Sequence, residues 1–161
     1  MNPYTTRVGF WAAVLATLFG LAYIVALFAT LAGMLAAPWD TAYQLTPSIV
    51  LAWCYMVLIA CVQDAAPRER RIWATLGFGF ALMYSVMNSA VYFTELTVVI
   101  PRILPGEAGS VALLLFEPGA FLFAVNGLAY GLMSMAALFA SPVFTRPGPE
   151  ARVRWTTLAT V

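Results

Sequence analysis

Four long apolar runs, separated by short clusters of proline, glycine and charge, organise this chain: residues 8–37, 47–62, 72–99 and 119–140. Within each run the apolar positions are continuous rather than alternating with period two, which argues for helices and against a membrane barrel. A helix needs about 20 mostly apolar residues to cross a hydrocarbon core of roughly 30 Å. Each run is therefore predicted to be a transmembrane helix, the second being the shortest. The first would reach about 45 Å at 1.5 Å per residue, so it must tilt or project into the interface. Leu35-Ala36-Ala37 has some likeness to a signal-peptide cleavage site, but the apolar run before it is about twice as long as a signal's. An uncleaved first helix is the expectation, stopping at Pro38-Trp39-Asp40.

Composition agrees with this pattern. Of 161 residues, 63% are hydrophobic and 9% charged, whereas a soluble domain carries roughly a quarter charged residues. The basic residues are all arginine, and their placement sets an expected orientation. Arg7, Arg68, Arg70, Arg71, Arg146, Arg152 and Arg154 fall on one side of the predicted spans, and Arg102 alone falls on the other. By the positive-inside rule, both termini and the loop between the second and third spans are expected in the cytoplasm. Asp40, Glu95, Glu107 and Glu117 then lie outside. The fold expected is an all-α, four-transmembrane-helix bundle over residues 1–141, N-in and C-in, followed by a flexible cytoplasmic tail over 142–161. Arginine in place of every lysine, with abundant alanine, suggests a GC-rich bacterial source and hence the bacterial inner membrane.

Histidine is absent, which removes the usual ligand of bis-histidine haem, di-iron and histidine–zinc sites. Cys54 and Cys61 share one helix face about 10 Å apart, too far for a disulfide, and no CxxC motif occurs. Met83 with Met87, and Met133 with Met135, are read as gap fillers rather than copper ligands. No metal site, cofactor or nucleic-acid partner is expected, and no phosphate loop, nucleophile elbow or metalloprotease motif is present. Arg68-Glu69-Arg70-Arg71 reads as an anchor to anionic headgroups.

Two spans carry a finer pattern. In the third, at 100° per residue, Gly77, Ala81, Tyr84, Asn88, Tyr92 and Glu95 fall within an arc of about 80°, a small-then-polar stripe on one face. In the fourth, Ala120, Gly127, Ser134 and Ser141 recur every seven residues with Ala124 and Gly131 between them, and Gly127 to Gly131 is a GxxxG. Ala29, Gly33 and Ala37 repeat the device in the first span. Such spacing lets a second helix approach closely, either within the bundle or in a partner.

Depth links the third and fourth spans. Counted from residue 72, Tyr84, Asn88 and Glu95 lie about 18, 24 and 35 Å in; counted back from residue 141, Tyr130, Asn126 and Glu117 lie about 17, 23 and 36 Å in. If the two helices are neighbours, Asn88 and Asn126 can bond directly or through a tyrosine hydroxyl. These asparagines are either interhelical glue or part of an outer-half pocket lined by Tyr84, Asn88, Tyr92, Glu95, Asn126 and Tyr130. Glu95 and Glu117 are expected at the interface within reach of water, with Glu117 in the first turn of the fourth helix.

The connection over 101–118 holds Pro101-Arg102, Pro105-Gly106-Glu107 and an apolar run over 111–116, too short to span. It is predicted to lie along the outer interface or fold over the mouth of the bundle. Arg102 is expected to pair there with Glu95 or Asp40, making Asp40, Arg102 and Glu117 an outer electrostatic gate. Three functions then stand in order: a non-enzymatic accessory or scaffold subunit meeting a membrane protein or a second copy through Ala29, Gly33, Gly127, Gly131 and Ser134; a binder or carrier of a small apolar or cationic ligand; and an intramembrane enzyme relying on Glu95 or Glu117.

Overall fold

The structure, a computed structural model, describes residues 3–144. It is helical, with no strand among the described residues: α1 Pro3–Leu31, α2 Trp39–Ala65, α3 Arg71–Thr94, α4 Ile100–Ile103 and α5 Phe121–Ala140. A π-helical turn over Glu95–Val99 joins α3 to α4 without a break. Four of these helical stretches are long and apolar enough to cross a membrane, and they define a multi-pass membrane protein.

The first span is shorter than its hydropathy suggests. Residues 32–37 are apolar, yet the helix ends at Leu31 because Gly33 takes φ +70°. The Met34 amide donates to the Ala29 carbonyl and the Gly33 amide to that of Thr30, the paired bonds of a Schellman cap. Gly33 is therefore a turn residue, and the Ala29–Gly33–Ala37 helical stripe does not exist. Only Ala29 of the three stays in α1, beside α2. The second span starts earlier than expected, at Trp39. Asp40 opens α2 instead of ending α1: its Oδ1 accepts from the Thr41 amide at 2.7 Å, and its charge favours the positive helix end.

Successive long helices run antiparallel. Gln44 Nε2 donates to Thr30 Oγ1 across α2 and α1, Trp53 Nε1 to Ser89 Oγ across α2 and α3, and Gly77 of α3 lies against Ala136 and Ala140 of α5. One end of the molecule therefore carries Arg7, Arg68, Arg70 and Arg71, and the Arg70 guanidinium there bonds the Pro142 carbonyl. The opposite end carries the connection over 104–120.

The core forms between α2, α3 and α5, and α1 packs almost wholly on α2. Only Ala12 and Ala26 of α1 are buried. Phe10, Leu18, Leu21, Val25 and Phe28 point outward, which suits a helix bathed in lipid on most sides. Three core layers follow one another along the axis. Ile59, Ala81, Ala136 and Ala140 pack near the arginine end; Ala52, Tyr84 and Ala129 fill the middle; Leu45, Val91, Tyr92 and Leu122 close the other end.

In the first layer the helices touch through backbone. A Cβ on Gly77 would stand 3.1 Å from the Ala136 carbonyl oxygen and 3.1 Å from the Ala140 amide nitrogen. By contrast, Gly127 and Gly131 have no atom within 4 Å of where a Cβ would sit, and both are exposed. The GxxxG is therefore not the seam of this chain's own packing. Burial on α5 runs through Leu122, Asn126, Ala129, Ala136 and Ala140, with Ser134 half-buried.

The connection over 104–120 folds back over the core. After Gly106, at φ +85°, the chain makes a 3-10 helix over Ala108–Leu114 that buries Val111. Leu114 and Phe116 then pack onto the layer of Leu45, Val91, Tyr92 and Leu122. Gly119 turns at φ +93°, so α5 begins at Phe121 with Ala120 as its N-cap. Glu117 lies outside the first turn, contrary to expectation. Of the tail over 142–161, residues 142 and 143 belong to a 3-10 turn, and the part from 145 on, with Arg146, Arg152, Arg154 and Trp155, lies outside the described residues.

Candidate functional site

The polar stripe of α3 faces the core along its whole length. Gly77, Ala81, Tyr84, Asn88 and Tyr92 are buried in α3, and Glu95 is buried in the π turn. Because α3 sits between α2 and α5, a stripe about 80° wide is covered from both sides. The π turn follows from Pro101, whose ring opposes a carbonyl four residues back and which supplies no amide. The Ile100 amide accordingly donates to the Glu95 carbonyl, five residues earlier. That widening lies where Glu95 enters the core, and π turns are frequent at functional sites.

Facing the stripe, α5 contributes Asn126 and Tyr130. The Tyr92 and Tyr130 hydroxyls are 3.2 Å apart, and Asn126 sits beside the Tyr92 hydroxyl. Tyr84 meets the Tyr130 ring at 6.1 Å and the Tyr55 ring edge-on at 5.6 Å. The matched depths of the two spans thus bring Tyr84, Tyr92, Asn126 and Tyr130 together, with Asn88 buried on the same face of α3 and Tyr130 itself partly exposed on α5. Asn88 and Asn126 do not bond directly. Both polar atoms of the Asn88 amide, Oδ1 of Asn126 and Oε1 of Glu95 are buried without a hydrogen-bond partner among the described residues. Buried polar groups in proteins are nearly always satisfied, and in hydrocarbon each one left alone costs several kcal/mol. Three of these atoms lie on the α3 stripe and its π turn, and the fourth lies on α5.

Glu95 departs most from expectation. It is 2% exposed, not at a wet interface, because the connection over 104–120 covers it. It lines a cavity of about 130 Å³ together with Thr41, Ile100, Leu115, Phe116 and Glu117. Phe116 roofs both regions, meeting Tyr92 at 6.1 Å and Phe123 at 5.6 Å. Asn88 lies about 10 Å deeper along the axis. Beyond Tyr84 the polar line stops at the contact of Ala81 with Ala136 and Ala140. The cavity is lined by none of Tyr84, Asn88, Tyr92, Asn126 or Tyr130, so it and the buried amide cluster are separate features along α3.

Asp40, Arg102 and Glu117 do not assemble into a gate. Arg102 pairs with Glu107 at 3.0 Å, both side chains more than half exposed, because the Gly106 turn returns Glu107 to the Arg102 carbonyl. Asp40 is used at the start of α2, and Glu117 alone of the three reaches the cavity. An exposed ion pair contributes about 0–1 kcal/mol. Arg102→Gln is expected to leave the thermal midpoint within a few degrees of wild type, and a large fall in a melting experiment would show that the pair orders the cover.

Sequence reasoning missed Tyr55, Thr41 and Phe116. Tyr55 reaches from α2 to donate to the Met133 carbonyl at 3.0 Å, and its one signal was a hydroxyl in the middle of an apolar run. The methionine pairs do not converge: Met83 is exposed while Met87 packs in the middle layer. No group of three or more histidine, cysteine or acidic side chains able to hold a metal ion occurs among the described residues. No known protein-family model matches the chain, and comparison with curated proteins and with solved structures likewise finds no match.

Proposed function

We propose that this protein is a non-enzymatic membrane protein that binds a small molecule at the polar site formed by Tyr84, Asn88, Tyr92, Glu95, Asn126 and Tyr130 between α3 and α5. The observation that carries this reading is the set of four unpartnered buried atoms on Asn88, Glu95 and Asn126. A chain in lipid keeps such groups only where they have a use or a partner. The cover of Leu114 and Phe116 over Tyr92 supplies the apolar roof that most ligand sites have. On this reading the arginine-rich end faces the cytoplasm of a bacterial inner membrane and the site lies toward the outer side, an orientation the arginine distribution supports. Bound water would satisfy the same atoms, and the test separates the two. Intact-complex mass spectrometry of protein taken from its native membrane into nanodiscs should show a retained small molecule or lipid, lost in Asn88→Leu. Protein free of any such mass would reject the proposal.

A second reading, the accessory or scaffold subunit, has its own observation. Gly127 and Gly131 point away from the core with open space beside them, and small residues at that spacing suit close approach of another transmembrane helix. Because nothing among the described residues touches those positions, Gly131→Ile should leave the monomer's melting unchanged while disrupting self-association or partner retention in lipid. Assembly identical to wild type would count against this reading.

A further inference from the structure

The cavity beside Glu95, which shares only that residue with the proposed polar site, has a chemistry that narrows what the Glu95 end of the site takes, an inference that rests on the binding reading above. Among the described residues that line it, two side chains are carboxylates, Glu95 and Glu117, one is the hydroxyl-bearing Thr41, and none is basic. Arg102, the nearest cation in sequence, is occupied by Glu107 outside the cavity. The remaining walls are apolar, including Ile100, Leu115 and the Phe116 ring. The geometry points to a small primary ammonium as the ligand, its charged head on the Glu95 carboxyl and its carbon atoms against Ile100, Leu115 and Phe116.

Three observations support this choice over others. Glu95 is 2% exposed with Oε1 unpartnered, and a buried carboxyl group is satisfied by a donor of opposite charge better than by a neutral one. A hard metal ion asks for six or more oxygen ligands, and the lining offers two carboxyl groups and one hydroxyl. Finally, about 130 Å³ holds roughly four waters' share of liquid volume, enough for an ammonium with a few carbons, and the aromatic wall at Phe116 adds a cation–π partner.

A primary ammonium reaches an outer-leaflet cavity either as a free amine or as the headgroup of an ethanolamine lipid. Thermal melting in nanodiscs distinguishes the two. In phosphatidylcholine discs, n-propylammonium chloride should raise the midpoint saturably, while n-propanol and sodium chloride at equal concentration do not. If the source is lipid, the rise appears instead on changing to phosphatidylethanolamine discs. In either arm Glu95→Gln should raise the half-saturating amine or lipid fraction by about tenfold or more, the loss of one charged hydrogen bond. Glu117→Gln, at an exposed position and so without a folding risk, should raise it several-fold. The ammonium assignment is overturned if n-propanol acts as strongly as the amine, if either response survives both substitutions, or if folded wild type responds in neither arm. In that case a molecule still retained from native membranes and lost in Asn88→Leu preserves the polar site, whereas its absence removes both proposals.

Discussion

Gly77→Leu is expected to abolish the packed α3–α5 pair, lowering the thermal midpoint by roughly 10 °C or more, while Gly79→Leu two residues along changes little. The atoms that a side chain on Gly77 meets, the Ala136 carbonyl oxygen and the Ala140 amide nitrogen at 3.1 Å each, are backbone. They cannot rotate aside as a flexible side chain would. Alanine asks the two helices to part by a few tenths of an ångström and gains up to about 1 kcal/mol of helix propensity in return, so its net effect is small. Leucine must separate them by much more. That opens the layer of Ile59, Ala81, Ala136 and Ala140 and the stacked rings of Phe80, Trp73 and Phe139 around it. Overpacking costs typically 1–3 kcal/mol and more where the backbone is the obstacle, and each kcal/mol moves the midpoint of a chain this size by about 2–4 °C. Gly79 faces open space, with no atom within 4 Å of a Cβ, so it reports what leucine does to an outward helix position alone. Equal melting of the two variants would show that the Gly77 contact does not hold the helices together.

The second large effect is expected at Asn88, with opposite signs for stability and binding. Leucine matches the branching of asparagine at Cγ and replaces an amide whose Oδ1 and Nδ2 both lack partners. Removing unmet polar atoms from a buried site is neutral to stabilising, by about 1–3 kcal/mol for the group relieved. Stripped of any bound molecule, Asn88→Leu should therefore melt at or above wild type. On the binding proposal the order should reverse in native membranes, because wild type would gain the stability a bound molecule confers by mass action and the variant would not. An asparagine serving only as glue between helices behaves differently. Its loss would lower stability in both conditions, by about 0.6 kcal/mol per interhelical bond. Melting curves of stripped and native-membrane samples, measured side by side, decide between the two.

Some of this site is legible from spacing alone, and the reason is local. Tyr84, Asn88, Tyr92 and Glu95 are held on one face by the 3.6-residue turn whatever surrounds the helix. Polar side chains on one face of a span imply a covered face. The opposite failure occurs on α5, where two stripes compete. One carries Gly127 and Gly131, and the other carries Asn126, Ala129, Ala136 and Ala140; the second is the one buried. Small residues mark where a helix can be approached, not where it is. Charge alone pairs Arg102 with Glu95 or Asp40, and the turn at Gly106 delivers Glu107 instead.

Four membrane-length apolar helices, the arginine-rich and arginine-poor ends, and the polar face of α3 are determined by the sequence itself, since length, charge and helical phase are properties of short segments. The end of α1 at Gly33, the choice of buried face on α5, the outlying position of α1 on α2 and the enclosure of Glu95 beneath Phe116 belong to the tertiary structure. In water, hydropathy tells the inside of a helix from its outside. In a bilayer lipid and protein core are equally apolar, so the buried face is chosen by close packing and by the few polar groups needing cover, and both depend on residues distant in the chain.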